Sequence, residues 1–183
     1  MGYFYFDFRY EEKKHRHDLL TSLLVQFAAQ SIPCSDMLSS IYSAHGNGNQ
    51  PPGDEVLMKC LKDMLLNSTQ HPMYIILDAV DESPDFSGVR SSRAQVLNFI
   101  QEIVELPLPN LRICITSRPE VDIRDCLEPL TSLRISLHDE AGHKEDIAKY
   151  ISTEVAFIAR NKRWRSDDKE LVIKTLSEKA DGM

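Results

Sequence analysis

Two short stretches gather the residue types that could do chemistry. The first is YIILDAVDES, residues 74 to 83, where an apolar run ends in Asp78 and is followed by Asp81 and Glu82. The second is LRICITSRPE, residues 111 to 120, another apolar run, which ends in Thr116, Ser117 and Arg118. A carboxylate closing a buried strand is costly if it points into the core, but it is well placed to hold a magnesium ion through water. Asp81 and Glu82, just beyond it, can orient or deprotonate an attacking water. Pro119 stops backbone pairing and biases Arg118 toward an extended conformation, from which its guanidinium could read a terminal phosphate through paired hydrogen bonds. Each stretch also has a plainer account. DESPD is rich in turn formers, and Arg118 could form a surface ion pair with Glu120 or Asp122. The argument for chemistry is topological: in a parallel α/β sheet, ligands sit outside the carboxyl ends of the strands, so Asp78 and Arg118 would share one crevice.

The elements that must position these residues follow from periodicity. Tyr3 to Phe8 is aromatic at nearly every position and predicts a short strand covered on both faces. Asp18 predicts a helix cap ahead of DLLTSLLVQFAAQ, whose Leu19, Leu20, Leu23, Leu24 and Phe27 recur at helical spacing. A shorter helix is expected from Ser35 to about Ala44, and then GNGNQPPG, residues 46 to 53, as a mobile loop. Helices are expected over Val56 to Leu65 and Val96 to Val104, with strands at Met73 to Leu77, at LRICITS and, shorter, near LRISL. Asp146 to about Arg160 and Ser166 to about Lys179 read as the last helices. Strands alternating with helices imply a parallel sheet flanked by helices.

The bulk numbers narrow the function classes. With 183 residues, 42% hydrophobic and 27% charged, the chain can bury one sizeable core. A net charge of -7 disfavours nucleic acid as the main partner. Four widely spaced cysteines without a CxxC pair suit reduced thiols and a cytoplasmic setting. No stretch reaches the roughly 18 apolar residues of a membrane span, and no signal peptide is expected at MGYFYFDFRY. The paired histidines His15 with His17 and His138 with His143 match no common zinc spacing, and solvated polar faces account for them better.

Two apolar strands ending in DxxDE and TSRP closely resemble the NACHT class of signal-transduction ATPases. More narrowly, YFYFDF, YIILDAVDES, NLRICITSRPEVDI, EDIAKYI and LSEKADGM resemble the nephrocystin-like N-terminal domain of fungal NOD-like receptors. The resemblance implies an α/β, three-layer P-loop NTPase-like parallel sheet flanked by helices. It makes YIILDAVDE the Walker B strand, with Asp78 on magnesium and Asp81 and Glu82 as the catalytic pair near the hydrolytic water. Thr116, Ser117 and Arg118 become the nucleotide-binding sensor segment. Val80 stands where Leu is usual. The implied cofactors are Mg2+ with ATP or GTP in complete members, and the implied partners are other domains or chains of a receptor, including a homo-oligomer.

One part of that machinery has no counterpart. The phosphate-binding loop reads G-x-x-x-x-G-K-[ST], and although Gly48 and Gly53 have its spacing, Asp54 and Glu55 stand where Lys and Ser or Thr are required. Two carboxylates would repel a triphosphate. The expectation is therefore a partial NACHT core over 1–138 that lacks the P-loop strand, the start of a helical extension over 139–183, and negligible nucleotide affinity of its own. The missing strand would lie beside the TSRP strand, whose edge should then be exposed or paired with a substitute. The alternative is a non-catalytic interaction remnant of the same fold, and a third is an unrelated α/β protein in which DxxDE is a turn.

Overall fold

Three strands, β1 (Gly2–Tyr5), β2 (Met73–Asp78) and β3 (Leu111–Ile115), run parallel in the order β1-β2-β3 in the computed structural model of this chain. The structure describes residues 1–10, 15–67, 72–85, 91–136, 141–162 and 164–179. Parallel pairing needs a crossover between strands, and the crossovers here are helical. Between β1 and β2 lie α1 (Arg16–Ala28), α2 (Ile32–Ala44) and α3 (Asp54–Asn67); between β2 and β3 lies α4 (Ser92–Val104). A short α5 (Val121–Leu127) follows β3. The register sets Phe4 beside Leu77 and Ile75 beside Ile113, so one face of the sheet carries a continuous apolar surface.

That face meets Leu19, Leu20 and Leu23 of α1, Leu61 of α3 and Phe99 of α4 in a single core. The helical repeat in the sequence selects these positions because residues three and four apart share one side of a helix. The opposite face is open. Tyr3, Tyr5 and Tyr74 alternate with buried neighbours and stay exposed, as do Arg112 and Cys114. Among the described residues up to Thr131, the sheet and its helices therefore form two layers, where three were expected, and β1 is covered on one face only. Aromatic residues at nearly every position of a strand do not require two buried faces, because a tyrosine can keep its hydroxyl in water over an apolar ring.

Other boundaries shift for identifiable reasons. The cap of α1 is His15, and Asp18 sits inside the first turn, where its Oδ2 accepts the His15 N–H at 3.3 Å. α2 begins at Ile32, ahead of Ser35, because Pro33 lies in the first turn, where its missing N–H costs nothing. No strand forms over residues 133–136, where Leu133 and Ile135 are exposed; Leu137 lies outside the described residues. β3 has β2 as its sole strand neighbour among the described residues, so its outer side is an open edge.

The chain divides into two compact units, Met1–Thr131 and Ser132–Met183. The second consists of α6 (Ala141–Lys162) and α7 (Ser166–Lys179), which pack against each other. Among its described side chains, Val155 alone is buried. Of the residues singled out in the sequence, His138 lies outside the described residues.

Candidate functional site at the strand ends

β2 ends at Asp78, and the chain then bends at Ala79 into the left-handed region, with φ 55° and ψ 49°. A non-glycine residue there is costly, on the order of 1 kcal/mol or more, and persists only where neighbours hold it. Thr116, the first residue beyond β3, supplies that hold. Its hydroxyl donates to Asp78 Oδ1 and accepts the Ala79 N–H at 2.9 Å, while its carbonyl accepts the Val80 N–H at 3.1 Å. Its own N–H donates to the Leu77 carbonyl at 3.0 Å. One threonine thus ties down the end of β2 and the start of the turn at four points.

The turn itself is a single helical turn, Val80–Glu82, anchored by the fully buried Val80. It directs Asp81 toward the TSRP segment. Asp81 Oδ1 accepts the Arg118 N–H at 3.0 Å, and Oδ2 lies 3.4 Å from Arg118 Nε. Asp81 is nearly buried, whereas Arg118 is 78% exposed. Of the two ion pairs that sequence proximity suggested for Arg118, neither is formed here; its partner is the acidic turn. The Ser117 hydroxyl donates along its own chain to the Arg118 carbonyl at 2.9 Å.

A third strand end joins from β1. The Phe6 N–H donates to the Asp78 carbonyl at 2.9 Å, and the Phe8 N–H donates to Glu82 Oε2 at 3.3 Å. Asp7, next to Phe6 and Phe8, is buried and accepts the Arg9 N–H at 3.0 Å together with Nε and Nη2 at 2.9 and 2.8 Å. The paired carboxylate holds the Arg9 guanidinium above its ordinary pKa. Asp78, Asp81, Glu82, Thr116 and Arg118 are accordingly one constellation at the carboxyl ends of the strands. Asp7, Arg9 and Arg93 belong to its surroundings and were not singled out from sequence. Arg93 had a signal: a cation in the first turn of a helix opposes the backbone dipole and so calls for partners.

The chemistry open to these groups differs between them. Asp78 is exposed, with Oδ1 engaged by Thr116. Among the described residues, no three His, Cys, Asp or Glu side chains gather as a metal-holding group. A magnesium ion here would rest on one carboxylate and keep most of its water, which is a common arrangement for that ion. The Gly48 to Gly53 segment does not contribute a phosphate cradle. It lies in the connection between α2 and α3, where Gly46, Asn47 and Gly48 have positive φ, and the Gly53 carbonyl starts α3 by accepting the Val56 and Leu57 N–H groups.

The class this defines is an α/β domain with its polar constellation at the carboxyl end of a parallel sheet. The chain matches the family described as Nephrocystin 3, N-terminal, over residues 1–118 and belongs to that family. No curated protein and no solved structure matches it. The matched span ends on Arg118, so it takes in both strand ends. Among the described residues no helix is long and apolar enough to cross a membrane.

Proposed function

We propose that the strand-end constellation is the acidic and sensing side of a nucleoside-triphosphate cleft, within a NACHT-type module of a cytoplasmic NOD-like signalling receptor. The observation that carries the reading is the junction of the two motifs: Thr116 binds Asp78 and the Ala79 N–H, while Arg118 meets Asp81. In this reading Asp78 would hold magnesium through water, and the ion would neutralise charge on the phosphates. Glu82 and Asp81 would face the water of a hydrolytic step. Thr116 and Ser117 would shape the segment from which Arg118 reaches a terminal phosphate. The P-loop NTPase-like architecture is part of the proposal, with the phosphate loop coming from sequence other than these 183 residues. Oligomerisation with like chains and packing on other receptor domains are the corresponding partner expectations.

A second reading, a non-catalytic interaction module of the same fold, has one observation in its favour. Asp81, a base candidate, is nearly buried and committed to Arg118. The two readings separate in a fusion experiment. A strand bearing G-x-x-x-x-G-K-[ST] is attached ahead of Met1, and Mg-ATP and Mg-GTP binding is measured by equilibrium dialysis. The unmodified chain is expected to bind neither at micromolar concentration. The fusion is expected to bind one of them and to lose that binding on Asp78→Ala or Arg118→Ala. Micromolar binding by the unmodified chain, or a binding fusion indifferent to both substitutions, would reject the cleft.

A further inference from the structure

Arg93 lies in the first turn of α4 with its side chain only 12% exposed. A guanidinium stays charged at any physiological pH, so a buried one requires acceptors. Arg93 finds them on two separate segments. Nη2 donates to the Asp81 carbonyl at 2.6 Å and Nε to the Ser83 carbonyl at 3.1 Å, which brackets the acidic turn. Nη1 lies 3.5 Å from both carboxylate oxygens of Asp122 on α5. Meanwhile the carboxylate of the same Asp81 receives Arg118. The contacts close a ring: Arg118 to Asp81, Asp81 to Arg93, Arg93 to Asp122, and from Asp122 back along the chain to Arg118.

We propose that Arg93 is a positioning residue that braces the TSRP segment against the acidic turn at two points, so that a displacement of Arg118 is felt at α5 and a displacement of α5 at Arg118. The geometry favours Arg over Lys here. A guanidinium presents several donors in a fixed fork and can serve two carbonyls and a carboxylate together, whereas an ammonium is a compact point charge. The consequence for phosphate recognition rests on the cleft proposed above. The brace itself exists without ligand and is measured without one.

The test is amide hydrogen exchange, followed by NMR on the whole chain. The Arg118 N–H is the probe, because its acceptor is the Asp81 carboxylate. Asp81→Ala is the positive control and removes that acceptor. Arg93→Gln is expected to speed Arg118 exchange about tenfold, the scale of one lost hydrogen bond, while the Ile75 and Leu77 amides of β2 keep their rates. Arg93→Lys is expected to fall with Arg93→Gln. Asp122→Asn, which alters only the outer end of the ring, is expected to speed Arg118 exchange by a smaller factor.

Unchanged Arg118 exchange in Arg93→Gln and Asp122→Asn, beside a clear response to Asp81→Ala, would overturn the proposal. If Arg93→Gln also speeds Ile75 and Leu77, the sheet has opened, and Asp122→Asn then decides alone. The cleft stands or falls on the fusion experiment, which does not involve Arg93, so the two readings can fail separately.

Discussion

At the scale of the residue, Thr116 joins the ends of β2 and β3 through its hydroxyl and its backbone. Its hydroxyl both donates and accepts, so Thr116→Val keeps the shape but strands the Ala79 N–H and leaves Asp78 without its donor. Both bonds are open to solvent, so the expected cost is about 0.5–1.5 kcal/mol, with Thr116→Ser recovering most of it. Urea denaturation of the three chains checks this, and equal midpoints for Val and Thr would show that the hydroxyl contributes nothing. Ala79 allows the converse experiment. Its φ of 55° suits glycine, so Ala79→Gly is expected to raise stability by up to about 1 kcal/mol, after allowing for the greater freedom of glycine in the unfolded chain. A lower urea midpoint would count against strain at this bend. These two residues also mark the limit of what the sequence reveals. Asp78, Thr116 and Arg118 are visible because polar residues closing apolar runs stand out in a linear reading. The left-handed bend at Ala79 is not, since alanine carries no signal for it. Nor are the partners of Arg93, because two of them are carbonyls that every residue possesses.

At the scale of the element, the two edges of the sheet are treated differently. On β1, Gln26 of α1 accepts the Tyr3 N–H at 3.0 Å and donates to the Tyr3 carbonyl at 2.7 Å, as a neighbouring strand would. Gln30 repeats the pattern one turn later, taking the Met1 amine at 2.6 Å and donating to the Met1 carbonyl at 2.7 Å. α1 and the turn that follows it thus close the β1 edge with two side-chain amides, which opposes recruitment of another strand there. Gln26→Ala is expected to cost about 1 kcal/mol and to raise the rate of concentration-dependent aggregation. Light scattering at several concentrations checks the second effect, and a variant that stays monodisperse would show that Gln26 does not guard the edge. The helices themselves were legible because Leu19, Leu23 and Phe27 keep the helical period; the glutamines that bond to β1 were not, since they sit on the polar side of that pattern. LRISL shows the reverse failure. Its alternation suits a strand, but a strand needs a neighbour, and residues 133–136 pair with none.

At the scale of the whole molecule, the distribution of buried apolar side chains separates the two units. Met1–Thr131 contains the whole of the large core, from Phe4 through Leu108 to Ile123, together with every residue of the strand-end constellation. Ser132–Met183 offers Val155 as its one buried side chain among those described, and leaves Phe157 and Leu171 exposed. A sheet covered on both faces was expected from the aromatic run at Tyr3 to Phe8, the alternation of strands with helices and the family resemblance; none of these fixes how the buried side chains are shared between the two faces, and in Met1–Thr131 they gather on one. Stability should follow the core, because burial is the main force opposing chain entropy. A chain ending at Thr131 is therefore expected to unfold cooperatively, with a urea midpoint close to that of the full chain, and to keep slow exchange at Ile75 and Leu77. The separate segment from Ser132 is expected to lose most of its helix, since two helices with so little buried surface fall short of the area an independent fold needs. Circular dichroism of both pieces decides the matter. A helical, cooperatively melting second piece would mean that α6 and α7 draw their stability from each other, and a first piece that melts without cooperativity would mean that the core described here is incomplete without them.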